Sequence, residues 1–192
     1  GNKLSDEIEL EIERLMTMRL EEELIEPEKI GRAKRLDDAN GRYLQFLKNT
    51  FPSNQRLEGL KIVVDCANGA SYISAPIVFW ELGAEVIQIG VKPDGLNINK
   101  ECGSTDTRLL SEKVKENNAD IGLALDGDGD RLMVCDENGQ IIDGDQILGL
   151  LALELKEKKM LTNNEVVGTL MTNVGLENKL RENSIDLVRA PV

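Results

Sequence analysis

Apolar residues recur at two spacings along this chain, and the spacing changes near Leu60. Before that point Ile8, Ile12, Leu15 and Met16 fall at helical intervals behind Ser5, Asp6 and Glu7. The pattern predicts an N-terminal helix capped by Ser5, with acidic residues at the positive end of its dipole, that is over by Pro27. The run Glu21-Glu22-Glu23 at its far end reads as a solvated face. A second helix is predicted over Asp37 to Asn49, with Leu36, Ala39, Tyr43, Phe46 and Leu47 inward and Pro52 as a stop. Residues 1–54 therefore hold helices without a strand to pack on, and read as the end of a domain.

Beyond Leu60 short apolar runs alternate with helical patterns. Lys61–Asp65 is a predicted strand, Asn68-Gly69-Ala70 a tight exit, and Ile77, Val78, Trp80 and Leu82 mark a helix ended by Gly83. Glu85 to Ile89 is the next strand. The loop from Val91 to Thr105 is long for an ordinary connection. Asp106 is placed to cap a helix through Leu110 and Val114 that ends at Asn117-Asn118. A strand over Ala119–Leu125 follows, then a hairpin of Leu132–Cys135 and Gln140–Ile142 around Glu137-Asn138-Gly139. Asp143 or Asp145 caps a further helix with Ile147, Leu148, Leu151 and Leu155 as its buried stripe and Lys156 to Lys159 at its negative end. After a polar break at Thr162-Asn163-Asn164 come a strand over Val166–Met171, a helix over Val174–Glu182 and a short strand at Asp186–Val188. The expected class is α/β, a mixed sheet with flanking helices, largely parallel with an antiparallel hairpin at one side. The expected parts are residues 1–54, 55–163 and 164–192. The last is the opening of another domain, since one strand–helix–strand unit cannot bury a core alone.

Composition narrows the function. A formal net charge of −12, from 23 Lys and Arg against 35 Asp and Glu, argues against a nucleic-acid partner or an anionic membrane surface. The chain has no His, which removes histidine triads and His-containing zinc sites. Cys66, Cys102 and Cys135 form no C-x-x-C and read as free thiols of a reducing cytoplasm. No signal-peptide pattern is present at the N-terminus, and the longest apolar candidate, Ile147 to Leu155, is too short to span a membrane. A cytoplasmic protein is expected.

The densest chemistry lies in Asp126-Gly127-Asp128-Gly129-Asp130-Arg131, at the end of the alternating run Ile121, Leu123, Leu125. Three carboxylates so close disfavour one another's ionisation unless a cation sits among them. Hard oxygen ligands without His or Cys suit Mg²⁺ or Ca²⁺ rather than zinc. Arg131 adds a planar guanidinium, and a divalent ion beside an arginine fork suits phosphate. Three other readings stay open. The D-x-D-x-D spacing matches a calcium loop, with Glu137 at its twelfth position, but Arg131 stands where the sharp turn needs glycine and strands flank the loop. A strand ending in Asp-x-Asp also fits an aspartyl-nucleophile phosphatase attacking through Asp126. An isolated Asp/Gly loop can be no more than a solvated turn in a non-catalytic domain.

At Asp126–Arg131 the chain resembles the α-D-phosphohexomutase superfamily. The segments Val64–Ala70, Pro93–Asn99, Cys102–Thr105, Ile142–Gln146 and Val167–Asn173 extend the resemblance, in the family's order, and bring it nearest to the bacterial glucosamine-phosphate branch. The resemblance implies the last part of a first domain, a complete metal-binding second domain, and the start of a third. It implies an isomerase that passes a phosphoryl group between an enzyme phosphoserine and a hexosamine phosphate through a 1,6-bisphosphate. Asp126, Asp128 and Asp130 would each give an oxygen to one Mg²⁺ per active site, and Arg131 would hold the phosphoryl group. The serine loop is expected upstream of Gly1, and the sugar and phosphate loops beyond Val192, so these residues alone are expected to be inactive. A homodimer is an expectation for the full-length enzyme. The Asn97–Asn99 and Cys102–Thr105 loop reads either as a connection or as a lining of the cleft near the metal.

Overall fold

The computed structural model describes residues 4–18 and 25–191, and the chain divides into units of residues 1–37 and 38–192. The Glu21-Glu22-Glu23 run lies outside the described residues. In the first unit, helix α1 (Asp6–Thr17) starts at Ser5 as expected, although the Ser5 side chain makes no capping hydrogen bond. Its apolar stripe is uncovered: Ile8, Ile12, Leu15 and Met16 are all exposed. None of the described helices is long and apolar enough to cross a bilayer.

The second unit opens with α2 (Ala39–Lys48), where the expected inward face is corrected. Tyr43 and Phe46 stand 52% and 65% exposed, stacked on each other at 6.3 Å between ring centroids. Leu47 of the expected face is half-buried as read, and Leu44 joins it. Among the described residues helix α2 leans mainly on α3 (Ser74–Glu81), with Lys48 paired to Glu81, and a helix resting mainly on one other covers only a narrow strip.

The body of this unit is a five-stranded sheet in the order β2-β1-β3-β4-β5. Strands β1 (Lys61–Asp65), β2 (Glu85–Ile89) and β3 (Ile121–Leu125) run parallel, with β1 in the middle. Strands β4 (Leu132–Asp136) and β5 (Ile141–Ile142) form the antiparallel hairpin read from Glu137-Asn138-Gly139. Helix α4 (Arg108–Asn117) covers one face, burying Leu110 and Val114 against Val63, Ala124 and Cys135. The other face holds Ile62, Val64, Cys66 and Ala84 under Ala75 and Phe79 of α3. Strand β1 is buried on both faces, as a central parallel strand in an α/β/α sandwich must be. The cap expected at Asp106 is corrected. The N-cap position is Thr107, and Asp106 instead accepts from Arg108 Nε and Nη2 at 2.8 and 2.6 Å, which holds its pKa down to about 2.

Helix α5 (Gly144–Glu157) takes Asp143 as its cap, in a reciprocal box with Gln146 at 2.8 and 2.9 Å. Replacing Asp143 with Ala is expected to lower unfolding free energy by about 1 kcal/mol, measured by urea denaturation. The buried face of α5 is Leu148, Gly149, Ala152 and Leu153, while Leu151 and Leu155 of the expected stripe are 48% and 37% exposed. That face packs on β6 (Glu165–Thr169), α6 (Val174–Glu182) and β7 (Asp186–Ala190), in a core of Ala152, Val166, Leu176, Leu180 and Ile185. The helix expected to close residues 55–163 thus shares its core with the strand–helix–strand unit that follows. The cause is steric: Gly149 lets α5 approach α6 so closely that a Cβ there would meet Leu176 Cδ1 at 3.1 Å.

Arg189 of β7 braces this smaller unit. Its Nη1 donates to the carbonyls of Thr169 and Thr172 at 3.2 and 3.0 Å, and its Nη2 to Glu177 Oε2 at 2.7 Å. The guanidinium holds the Glu177 carboxyl below its ordinary pKa. A carboxylate depressed in the folded state stabilises above its unfolded pKa and loses that contribution as pH falls towards the folded value. Glu177→Gln is therefore expected to be less stable than the parent at neutral pH. The gap should close as pH drops below the ordinary glutamate range of about 4.3, in urea midpoints taken across that range.

Candidate metal centre

Strands β1, β2 and β3 are parallel, so the loops leaving Asp65, Ile89 and Leu125 emerge at one edge of the sheet. That edge is where open α/β sheets place ligands. The acidic loop leaves β3 there and returns as β4. Gly129, at φ +77°, makes the reversal in a left-handed conformation that a side chain would strain. The other glycine serves a different purpose. A Cβ on Gly127 would meet Ile98 Cδ1 at 2.6 Å and Asn99 Nδ2 at 2.9 Å, so Gly127 is the point where the Val91–Thr105 loop lies against the acidic loop.

The three carboxylates converge. Asp126, Asp128 and Asp130 each present one oxygen, and these atoms lie within 4.8 Å of one another. Asp126 is buried, while Asp128 and Asp130 are exposed. Asp126 Oδ1 accepts the backbone N–H groups of Gly129 and Arg131, both at 3.1 Å, and Oδ2 accepts Arg131 Nε at 2.7 Å. Hydrogen bonding to the Arg131 side chain holds the Asp126 carboxyl well below the usual range. Asp130 is pushed the other way, chiefly by the charge of Asp128. The two oxygens of a carboxylate offer about four lone-pair directions, and Asp126 uses three on its own loop, which leaves one toward a cation. The set is acidic, oxygen-only and partly open to water, the donor chemistry of a hard divalent ion. Arg131 lies beside it, 69% exposed, and among the described residues its Nη groups have no acceptor.

Neighbouring loops hold the site from beneath. Ala70 N donates to Gly127 O at 2.8 Å, Ser104 N to Leu125 O at 3.0 Å, and Asn99 N to Ala67 O at 2.9 Å. The Asn68-Gly69 turn and the Asn97–Thr105 loop are therefore both in contact with the acidic segment. Two buried oxygens near it, Ser71 Oγ and Asn99 Oδ1, have no hydrogen-bond partner among the described residues. The cysteines are free and buried, and burial raises all three thiols, Cys66 to about 11, so none offers a thiolate.

One residue escaped the sequence reading. Asp65 ends β1 fully buried, accepting Ala67 N at 2.9 Å and Gly103 N at 2.7 Å. Burial raises its pKa. The available signal was a carboxylate at the C-terminal end of a strand buried on both faces, where a charge has no place unless it organises loops. Of the alternatives, the calcium loop needs flanking helices and has β3 and β4, and a merely solvated turn does not bury Asp126.

Residues 41–139 match the phosphoglucomutase/phosphomannomutase α/β/α domain II, and residues 143–192 match domain III of the same family. Among curated proteins, the chain is similar to a phosphoglucosamine mutase of Nitrobacter winogradskyi, 51% identical over 192 residues that are 100% of this chain and 43% of that protein. It is similar also to a phosphoglucosamine mutase of Phenylobacterium zucineum, 53% identical over the same 100% of this chain and 43% of that protein. A solved phosphoglucomutase/phosphomannomutase family protein from Burkholderia thailandensis superposes with a TM-score of 0.67 at 27% identity, covering 80% of this chain and 33% of that one. The chain thus spans less than half the length of the curated relatives it matches.

Proposed function

The chain belongs to the phosphoglucomutase/phosphomannomutase family, and from that premise we propose that it is the metal-binding portion of an enzyme interconverting glucosamine 6-phosphate and glucosamine 1-phosphate. The observation that carries the substrate is the identity of 51–53% with phosphoglucosamine mutases along all 192 residues. The phosphoserine, the sugar loop and the phosphate loop belong to parts of a family chain outside the segments matched here. Transfer runs from that phosphoserine to the sugar, through a 1,6-bisphosphate, and back.

Asp126, Asp128 and Asp130 would hold one Mg²⁺. When bound, the ion supplies charge neutralisation at the transferring phosphoryl oxygens. The chain's own residues do the rest of the local work. Asp126, ionised by its contact with Arg131, fixes the loop and turns that guanidinium outward. The Nη groups of Arg131 are then open to receive phosphoryl oxygens in a planar fork. No base is needed from these residues, since phosphoryl transfer rests on position and charge. A cytoplasmic homodimer, with neither nucleic acid nor membrane as partner, completes the reading.

Two measurements test it. Calorimetry on the 192-residue chain is expected to give saturable Mg²⁺ binding weaker than about micromolar, because three carboxylates supply fewer than the usual protein ligands. Submicromolar affinity contradicts the shared-ligand arrangement, and no binding at all removes the metal assignment. A polypeptide of the family's full length is expected to turn over glucosamine 6-phosphate faster than glucose or mannose 6-phosphate. Preference for either of the latter overturns the substrate while leaving the family standing.

A further inference from the structure

We propose that Asp65 is a positioning residue for the acidic loop, holding Asp126–Arg131 in its cation-binding shape from one strand away; this rests on the reading of that loop as the metal site. Asp65 touches none of the three aspartates in the hydrogen-bond network. It acts through backbone links only. Oδ1 accepts Ala67 N, which shapes the turn leaving β1, and Oδ2 reaches 38 residues along the chain to Gly103 N. Each tied segment then makes one hydrogen bond to the acidic segment or to the strand end that carries it. From the β1 turn, Ala70 N donates to Gly127 O at 2.8 Å, and from the far loop Ser104 N donates to Leu125 O at 3.0 Å. The two segments are also tied to each other, through Asn99 N on Ala67 O at 2.9 Å.

There is no slack in this arrangement. Gly103, at φ +77°, would place a Cβ 2.7 Å from Leu125 O, and Gly90 would place one 2.5 Å from Asp65 Oδ1. A buried carboxylate with two backbone donors and no cationic partner among its hydrogen bonds is a costly feature to build at the end of a core strand. What it secures is the one edge of the sheet at which three loops must meet. An Asn at this position keeps the volume but turns one acceptor into a donor facing an N–H, which breaks one of the two ties.

The test uses the 192-residue chain and three variants: Asp65→Asn, Asp65→Ser, and Val114→Ala, in the core under α4, as a control of comparable instability. Asp65→Ser keeps a short hydroxyl able to serve Ala67 N but unable to reach Gly103, and stands in should Asp65→Asn fail to fold. Amide hydrogen exchange at Gly129 and Arg131, the two N–H groups that Asp126 accepts, is expected to quicken about tenfold in the Asp65 variants beyond what Val114→Ala shows at matched global stability. Binding of Mn²⁺, followed by its electron paramagnetic resonance signal, is expected to weaken about tenfold in the Asp65 variants and to hold in the control. Exchange and Mn²⁺ affinity that follow global stability alone, alike in all variants, overturn the proposal. Should the parent chain bind no Mn²⁺, the metal reading fails while the exchange rates still decide whether Asp65 shapes the loop.

Discussion

Gly69→Ala is expected to destabilise the fold by about 3 kcal/mol, at the upper end for overpacking a filled site. The added Cβ would fall on the carbonyl group of Gly127, 2.6 Å from its Cα. Both sides of that clash are backbone, so no rotamer change relieves it. Relief requires the turn after β1 and the acidic loop to separate, which breaks the Ala70–Gly127 hydrogen bond between them. Gly144→Ala serves as the comparison, because nothing lies within 4 Å of its Cβ position and it starts helix α5. That change is expected to be neutral or slightly stabilising. Urea denaturation of both variants decides the matter: a loss at Gly69 no larger than at Gly144 would show that the two loops do not meet backbone to backbone.

Asp128→Asn, in a polypeptide of the family's full length, is expected to lower kcat by a factor on the order of a thousand. A bound divalent ion contributes several kcal/mol of charge stabilisation, and each 1.36 kcal/mol is tenfold in rate. The substitution keeps shape and removes one negative charge from the three that would hold the ion. Asp128 is exposed and, among the described residues, accepts no hydrogen bond, so the melting temperature should stay where it was. Asp126→Asn makes the informative contrast. It removes charge from a carboxylate with three hydrogen bonds to its own loop, and is expected to lower stability as well as rate. A rate for Asp128→Asn within about fivefold of the parent would remove the metal from the mechanism.

The periodic signals were legible wherever local and tertiary forces agree. Strand β1 at Lys61–Asp65, the hairpin around Glu137-Asn138-Gly139 and the helix Val174–Glu182 stand where their patterns put them. Convergence of Asp126, Asp128 and Asp130 was readable too, because glycines between carboxylates act within six residues. Misreadings arose where the answer depends on a neighbour. Tyr43 and Phe46 repeat at helical spacing, yet α3, the main neighbour of α2 among the described residues, covers neither. Leu151 and Leu155 are as apolar as Leu148, but Gly149 and Ala152 allow the closer approach, so they set which face of α5 turns inward. Asp106 is a good cap by type, but the helix starts one residue later behind Thr107, and the carboxylate is held mainly by the Arg108 guanidinium.

Element order, the α/β class and the acidic loop with its arginine are properties of short windows of residues, decided by 3.6- and 2-residue periods, turn chemistry and charge spacing. The contacts of Asp65, Gly69, Gly103 and Asn99 were decided only in three dimensions. Each meets a partner that lies from 22 to 58 positions away along the chain. No window of sequence contains such a pair, because what unites its members is the edge of a parallel sheet, where segments remote in the chain must come within hydrogen-bonding distance.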